Sequence, residues 1–69
     1  MQLGNIDQAI VFWNRALAIS PALLLVRVNL ADALFATGHP EEARETLRKA
    51  LEFDPAFKPA IDLLNRITK

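Results

Sequence analysis

The chain contains no cysteine and no tyrosine, and only one histidine, one tryptophan and two glycines among its 69 residues. Without a thiol there is no disulfide framework, no zinc knuckle and no cysteine nucleophile. One histidine cannot build a His-rich metal cluster. An excess of one charge is also missing: eight Lys plus Arg stand against eight Asp plus Glu, for a formal net charge of zero. No whole-chain field is left to steer the protein onto nucleic acid or an anionic membrane. Long apolar runs are lacking too. The densest, Pro21 to Val26, is stopped by Arg27 and again by Asn29 and Asp32, far short of the roughly 20 apolar residues that span a bilayer. Met1 to Asn5 has neither the basic start nor the apolar stretch of a secretory signal. These absences point to a soluble protein, with the cytoplasm favoured among compartments.

What remains is a chain 52% hydrophobic and 23% charged, too apolar for a disordered tail. One domain of this length draws only about 3–5 kcal/mol from its own core unless disulfides, a metal or partners add to it. The first two are excluded by composition, which leaves partners.

Gly and Pro divide the chain, and the divisions recur. Gly4 and Gly38 lie 34 residues apart, as do Pro21 and Pro55. The same offset of 34 relates Ala9 to Ala43, Ala16 to Ala50 and Leu17 to Leu51, and pairs Trp13 with Leu47 and Ile19 with Phe53. Between these marks every segment carries helical periodicity. Ile6, Ala9, Ile10, Trp13, Ala16 and Leu17 follow the i, i+3, i+4, i+7 rule over 6–19, with Asn5 as N-cap and Asp7 in the positive first turn. A second helix runs over 22–37, nearly apolar throughout, and Gly38 supplies its left-handed stop. Pro40 at the first helical position, followed by Glu41 and Glu42, opens a third. Its stripe is Ala43, Leu47, Ala50 and Leu51, and its outer face offers the pairs Glu41–Arg44, Glu45–Lys49 and Arg48–Glu52. A fourth helix over 57–68 shows Ile61, Leu64 and Thr68 at helical spacing, with Pro59 in its first turn. Trp13 and Phe53 are expected on the core stripe.

A helix pair repeated at this period cannot bury its own stripe and must stack on a neighbour. Alternation of small with large residues suits that: Ala9, Ala16, Ala43 and Ala50 let backbones approach, while Trp13, Leu34 and Leu47 fill the gaps. Residues 4–55 resemble the tetratricopeptide repeat (TPR) family. Gly4, Ala9, Trp13, Ala16 and Pro21 match the second helix of its motif, and Gly38, Ala43, Leu47, Ala50 and Pro55 match it again. Leu30, Ala31 and Leu34 fit its first helix. Two residues depart: Arg27 stands where a large apolar residue, often Trp, is preferred, and Asn65 where a small one is expected. The resemblance implies an all-α solenoid segment of antiparallel helix hairpins, about four helices in one unit. Residues 5–20 would be the second helix of one repeat, 22–55 a complete repeat, and 57–69 a C-terminal capping helix. The opening helix would then lack its partner, leaving parts of Ile10 to Trp13 and of Leu23 to Leu25 uncovered. Either neighbouring repeats of a longer chain or a homodimer would cover them.

Catalytic and metal-binding readings are weighed down by bland ones. His39, between Gly38 and Pro40, reads as a turn residue with no nucleophile converging on it. Glu41, Glu42 and Glu45 are interleaved with Arg44, Arg48 and Lys49, which reads as a solvated helix face. The two glycines form no phosphate-binding loop. No enzyme activity, cofactor, metal or nucleic acid is expected. The resemblance instead implies a protein–protein interaction scaffold, since the first helix of each TPR pair lines a concave surface that takes peptides. Carried over residue by residue, that surface would present Leu25, Val28, Asp32 and Phe35 from the complete repeat and Asp62 and Arg66 from the final helix. The competing reading is that adjoining helices merely cover Leu25, Val28 and Phe35. A homodimerising structural segment and a regulatory segment of a larger enzyme are the functional alternatives.

Some TPR proteins grip a C-terminal carboxylate with Lys, Arg and Asn. Asn29 occupies one such place, but Pro59 and Leu63 stand where basic residues of the final helix would be needed, and Asp32 would repel an anion. Free acidic C-terminal peptides are therefore expected to bind no better than their amidated forms. A calorimetric preference for the free acid would overturn this.

Overall fold

The computed structural model describes residues 5–68; Gly4, the first mark of the repeat, and Lys69 lie outside them. Four helices follow one another: α1 (Asn5–Ile19), α2 (Leu24–Ala36), α3 (Pro40–Phe53) and α4 (Lys58–Thr68). There is no strand among the described residues. The fold is all-α, built of antiparallel helix hairpins.

The connections are set by proline and glycine chemistry. Ser20–Leu23 is a β-turn with Pro21 in its second position, closed by the Leu23 N–H to the Ser20 carbonyl at 3.2 Å. Thirty-four residues on, Asp54–Phe57 repeats it, with the Phe57 N–H donating to the Asp54 carbonyl at 3.0 Å. There the Asp54 carboxylate also accepts the Ala56 N–H at 3.1 Å, the local bond that suits Asp to turns. These turns consume residues that periodicity alone assigned to helices. Accordingly α2 starts at Leu24 rather than at 22, and α4 at Lys58 rather than at 57. Asn5, expected as a cap, is instead the first described helical residue of α1.

Gly38 closes α2 as its chemistry requires. Its φ is +86°, the left-handed conformation that a side chain disfavours. The His39 N–H reaches the Leu34 carbonyl at 2.8 Å and the Gly38 N–H the Phe35 carbonyl at 3.2 Å. This paired bonding is the Schellman termination. Pro40 then begins α3, where its missing N–H costs nothing.

The core lies among α2, α3 and α4. Ala31, Ala43, Leu47, Ala50 and Ala60 have no solvent exposure, and Leu47 is the large side chain sealed at their centre. Short connections make α3 antiparallel to both α2 and α4, so these last two run in the same sense. Among the described residues α1 makes its close backbone contacts with α2. Its Ala9, Trp13 and Ala16 are consequently only half-buried, although their counterparts 34 residues later are sealed. Val11 and Phe12 of α1 and Leu23 and Leu25 near the start of α2 are exposed, as the uncovered stripe predicts.

Two expectations, on Phe53 and on the ion pairs of α3, need correction. Phe53 is not on the core stripe: it is 51% exposed. Its ring instead supports Arg27, whose guanidinium carbon lies 5.5 Å from the ring centroid. Arg27 is itself buried and donates from Nε to the Pro21 carbonyl at 2.9 Å, so a cation occupies the place of a large apolar residue at no unpaired cost. On α4, whose helical spacing holds, the buried side chains are Ala60, Leu63 and Ile67, with Leu64 partly buried against the same core. Because α4 is covered by α2 and α3 and by no described helix on its far side, its buried stripe turns toward those two. On α3, Arg44 pairs with Glu41 as expected, but Arg48 turns back to Glu45 at 3.7 Å in place of the Glu45–Lys49 and Arg48–Glu52 pairs. Such exposed pairs are worth about 0.2–0.5 kcal/mol each.

The sealed alanines give a direct test. Ala43→Leu forces about three extra carbons into a contact with no free volume and should cost roughly 1–3 kcal/mol. An unchanged melting temperature in thermal unfolding would contradict the packing described.

Candidate functional site

The same-sense arrangement of α2 and α4 leaves an open cleft between them, with α3 behind. Its volume is about 430 Å³. From α2 it takes Val28, Asn29 and Asp32, and from α4 Lys58, Pro59, Asp62, Leu63 and Arg66. The helical period explains both sets. Val28 and Asp32 lie one turn apart on one face of α2, and Lys58, Asp62 and Arg66 follow at successive turns of α4.

Five residues expected at the groove, Val28, Asn29, Asp32, Asp62 and Arg66, thus line one cleft. Leu25 and Phe35 do not. Leu25 shares the face of α2 that carries Val28 but is 62% exposed and opens into an apolar surface with Leu23, Leu24 and Phe57. Phe35 is exposed outside the cleft. Neither is covered by an adjoining helix. Val28 is half-buried and packs against the core as well as facing the cleft.

Lys58, which also lines the cleft, lies outside the residues the family motif reaches, although the four-residue step back from Asp62 arrives at it. Pro59 and Leu63, which stand against a carboxylate grip, also line the cleft, and Leu63 is its floor, buried at 6% exposure. The walls are polar and of mixed sign, with Asp32 and Asp62 set against Lys58 and Arg66. None of the four enters an ion pair among the described residues, where Glu41–Arg44 and Glu45–Arg48 are the pairs formed.

A second cleft, of about 360 Å³, opens on the other side of Asn29 and Asp32, against Ile6, Ala9 and Trp13 of α1. Asn29 and Asp32 therefore form a polar ridge between two concavities. His39 stands at the N-cap position of α3 in an exposed turn, its Nδ1 3.2 Å from the Thr37 hydroxyl and not bonded to the helix. No cluster of three or more metal-ligating side chains occurs among the described residues. Among them, too, no helix is long and apolar enough to cross a membrane.

A family model described as tetratricopeptide repeat matches residues 1–67. Among curated proteins the chain is similar to the TPR repeat-containing thioredoxin TTL4 of Arabidopsis thaliana, with 37% identity over 57 residues. That stretch is 83% of this chain and 8% of the relative, so the chain spans a small part of that protein's length. No solved structure matches.

The two roles of α4 in the cleft separate by mutation. Leu63→Ala removes a buried side chain and should cost about 2–5 kcal/mol, whereas Asp62→Asn, on the exposed wall, should stay within about 0.5 kcal/mol. Chemical denaturation of both variants checks this, and equal losses would contradict the placement of these side chains.

Proposed function

Because the chain belongs to the tetratricopeptide repeat family, whose repeats generally mediate protein–protein interaction, we propose that it is a non-catalytic scaffold binding a peptide or partner segment in the α2–α4 cleft. In this reading α2 and α3 form one complete repeat, α1 is the second helix of the repeat before it, and α4 is a capping helix. Asn65 supports the last assignment: it is exposed, while Ala31, one period earlier, is sealed. The carrying observation is the cleft itself, where five side chains expected from the family's concave surface converge with unpaired polar groups.

Absence of catalysis is supported by composition. The relative is named a thioredoxin, but dithiol–disulfide exchange needs cysteines, and this chain has none. A regulatory repeat segment of a larger enzyme fits the same facts, with the chemistry residing elsewhere in such a protein.

One observation favours self-association as a second reading. Phe12 and Ile19 on α1 are 68% and 86% exposed, and apolar patches of this kind commonly mark contact surfaces. Light scattering over a dilution series separates the readings: a mass rising with concentration supports the dimer.

For the scaffold, peptides selected from a displayed random library supply ligands. Asn29→Arg places a long side chain across the cleft at an exposed helix position. It should weaken the selected peptides by about tenfold or more while leaving the circular dichroism spectrum unchanged. Selected peptides that bind this variant as tightly as the parent would refute the cleft as the site.

A further inference from the structure

Lys58, Asp62 and Arg66 stand at successive turns on the α4 wall of the cleft. Each four-residue step advances about 6 Å along the helix axis. An extended peptide presents side chains to the same side every second residue, a step of about 6.6–6.8 Å. A strand laid along α4 therefore meets one of these groups with every second side chain. The side chains between them turn the other way, toward α2.

The signs along the cleft are ordered. Its first turn holds Lys58. The second holds Asp62, level with the apolar Val28 one period earlier. At the third, Arg66 and Asp32 lie on opposite walls and offer no net charge to select by. The Asn29 amide, between these levels, both donates and accepts and so suits a backbone peptide group. Lys58 and Asp62 are exposed at i, i+4 spacing, yet no ion pair joins them. Their charges are left for an outside partner.

Resting on the cleft as the binding site, we infer that its occupant is an extended peptide segment of the pattern acidic–apolar–basic. The carboxylate faces Lys58, the cation faces Asp62, and the apolar side chain between them turns onto Val28. Leu25, exposed on the same face of α2, extends the apolar wall beyond the cleft mouth. The pattern is read equally in either chain direction, because the strand contributes only the alternation of its side chains.

Four fluorescein-labelled peptides with identical Ser/Gly flanks test this, their cores being Glu-Val-Lys, Glu-Val-Glu, Lys-Val-Lys and Gln-Val-Gln. Anisotropy titrations with the full chain should rank Glu-Val-Lys first, about tenfold tighter than either like-charged core. The margin should shrink in high salt, as for any exposed pair. With the Asp62→Lys variant, preference should pass to Glu-Val-Glu, a gain that misfolding would not produce. Equal binding of all four cores, abolished by Asn29→Arg, would overturn the pattern and leave the cleft intact as a site. Equal binding indifferent to Asn29→Arg would overturn both. No binding of any core would overturn the inference, and library-selected peptides that still bind through Asn29 would then keep the cleft reading alive.

Discussion

Ala31 on α2, Ala43 and Ala50 on α3 and Ala60 on α4 are sealed from solvent around one large side chain, Leu47. Each alanine acts by its lack of volume. With methyl groups at the contacts, the backbones approach closely and Leu47 fills the space that remains. Everything described for the cleft follows from this contact, because α3 is the common support against which α2 and α4 are set. A bulkier residue at any of these points would move one wall relative to the other. A cleft built on helices rather than loops inherits their rigidity, which the proposed binding role requires.

Family membership and cleft geometry constrain each other. The family accounts for stacked hairpins and for a concave side formed by alternate helices. It does not by itself set the side chains on that surface, which are read from this chain. One wall is apolar then acidic, the other alternates in sign, and a buried leucine forms the floor. Arg27 departs from the family pattern in the core. A guanidinium replaces the large apolar residue usual at that place, held by the Pro21 carbonyl beneath and the Phe53 ring beside it. The turn after α1, the body of α2 and the end of α3 are thereby joined through one side chain.

Much of the architecture was legible because proline and glycine write their conformations locally. Pro21, Pro55 and Gly38 mark three breaks, and a 34-residue recurrence of small and large residues identifies the stacking. What escaped was whatever depends on a neighbour's position. The buried stripe of α4 is Ala60, Leu63 and Ile67 because α2 and α3 lie where they do; its periodicity alone also permits the stripe through Ile61 and Leu64. Phe53 reads as a core residue until Arg27, distant in sequence, is found over its ring. In the cleft, Asp62 and Arg66 were within reach of a motif carried over by register. Lys58 lay one turn outside that motif and became visible only when both walls were in place.

The one-sided seating of α1 has a further consequence for how the molecule breathes. Among the described residues its close backbone contacts are with α2, while α2, α3 and α4 brace one another. Local opening thus divides into two cooperative units, with the amino-terminal helix able to undock at a smaller free energy than the three-helix remainder. Undocking would uncover the inner side of Asn29 and Asp32 and leave the opposite side, toward α4, undisturbed. Breathing at one flank of that polar ridge is in this way mechanically insulated from the other.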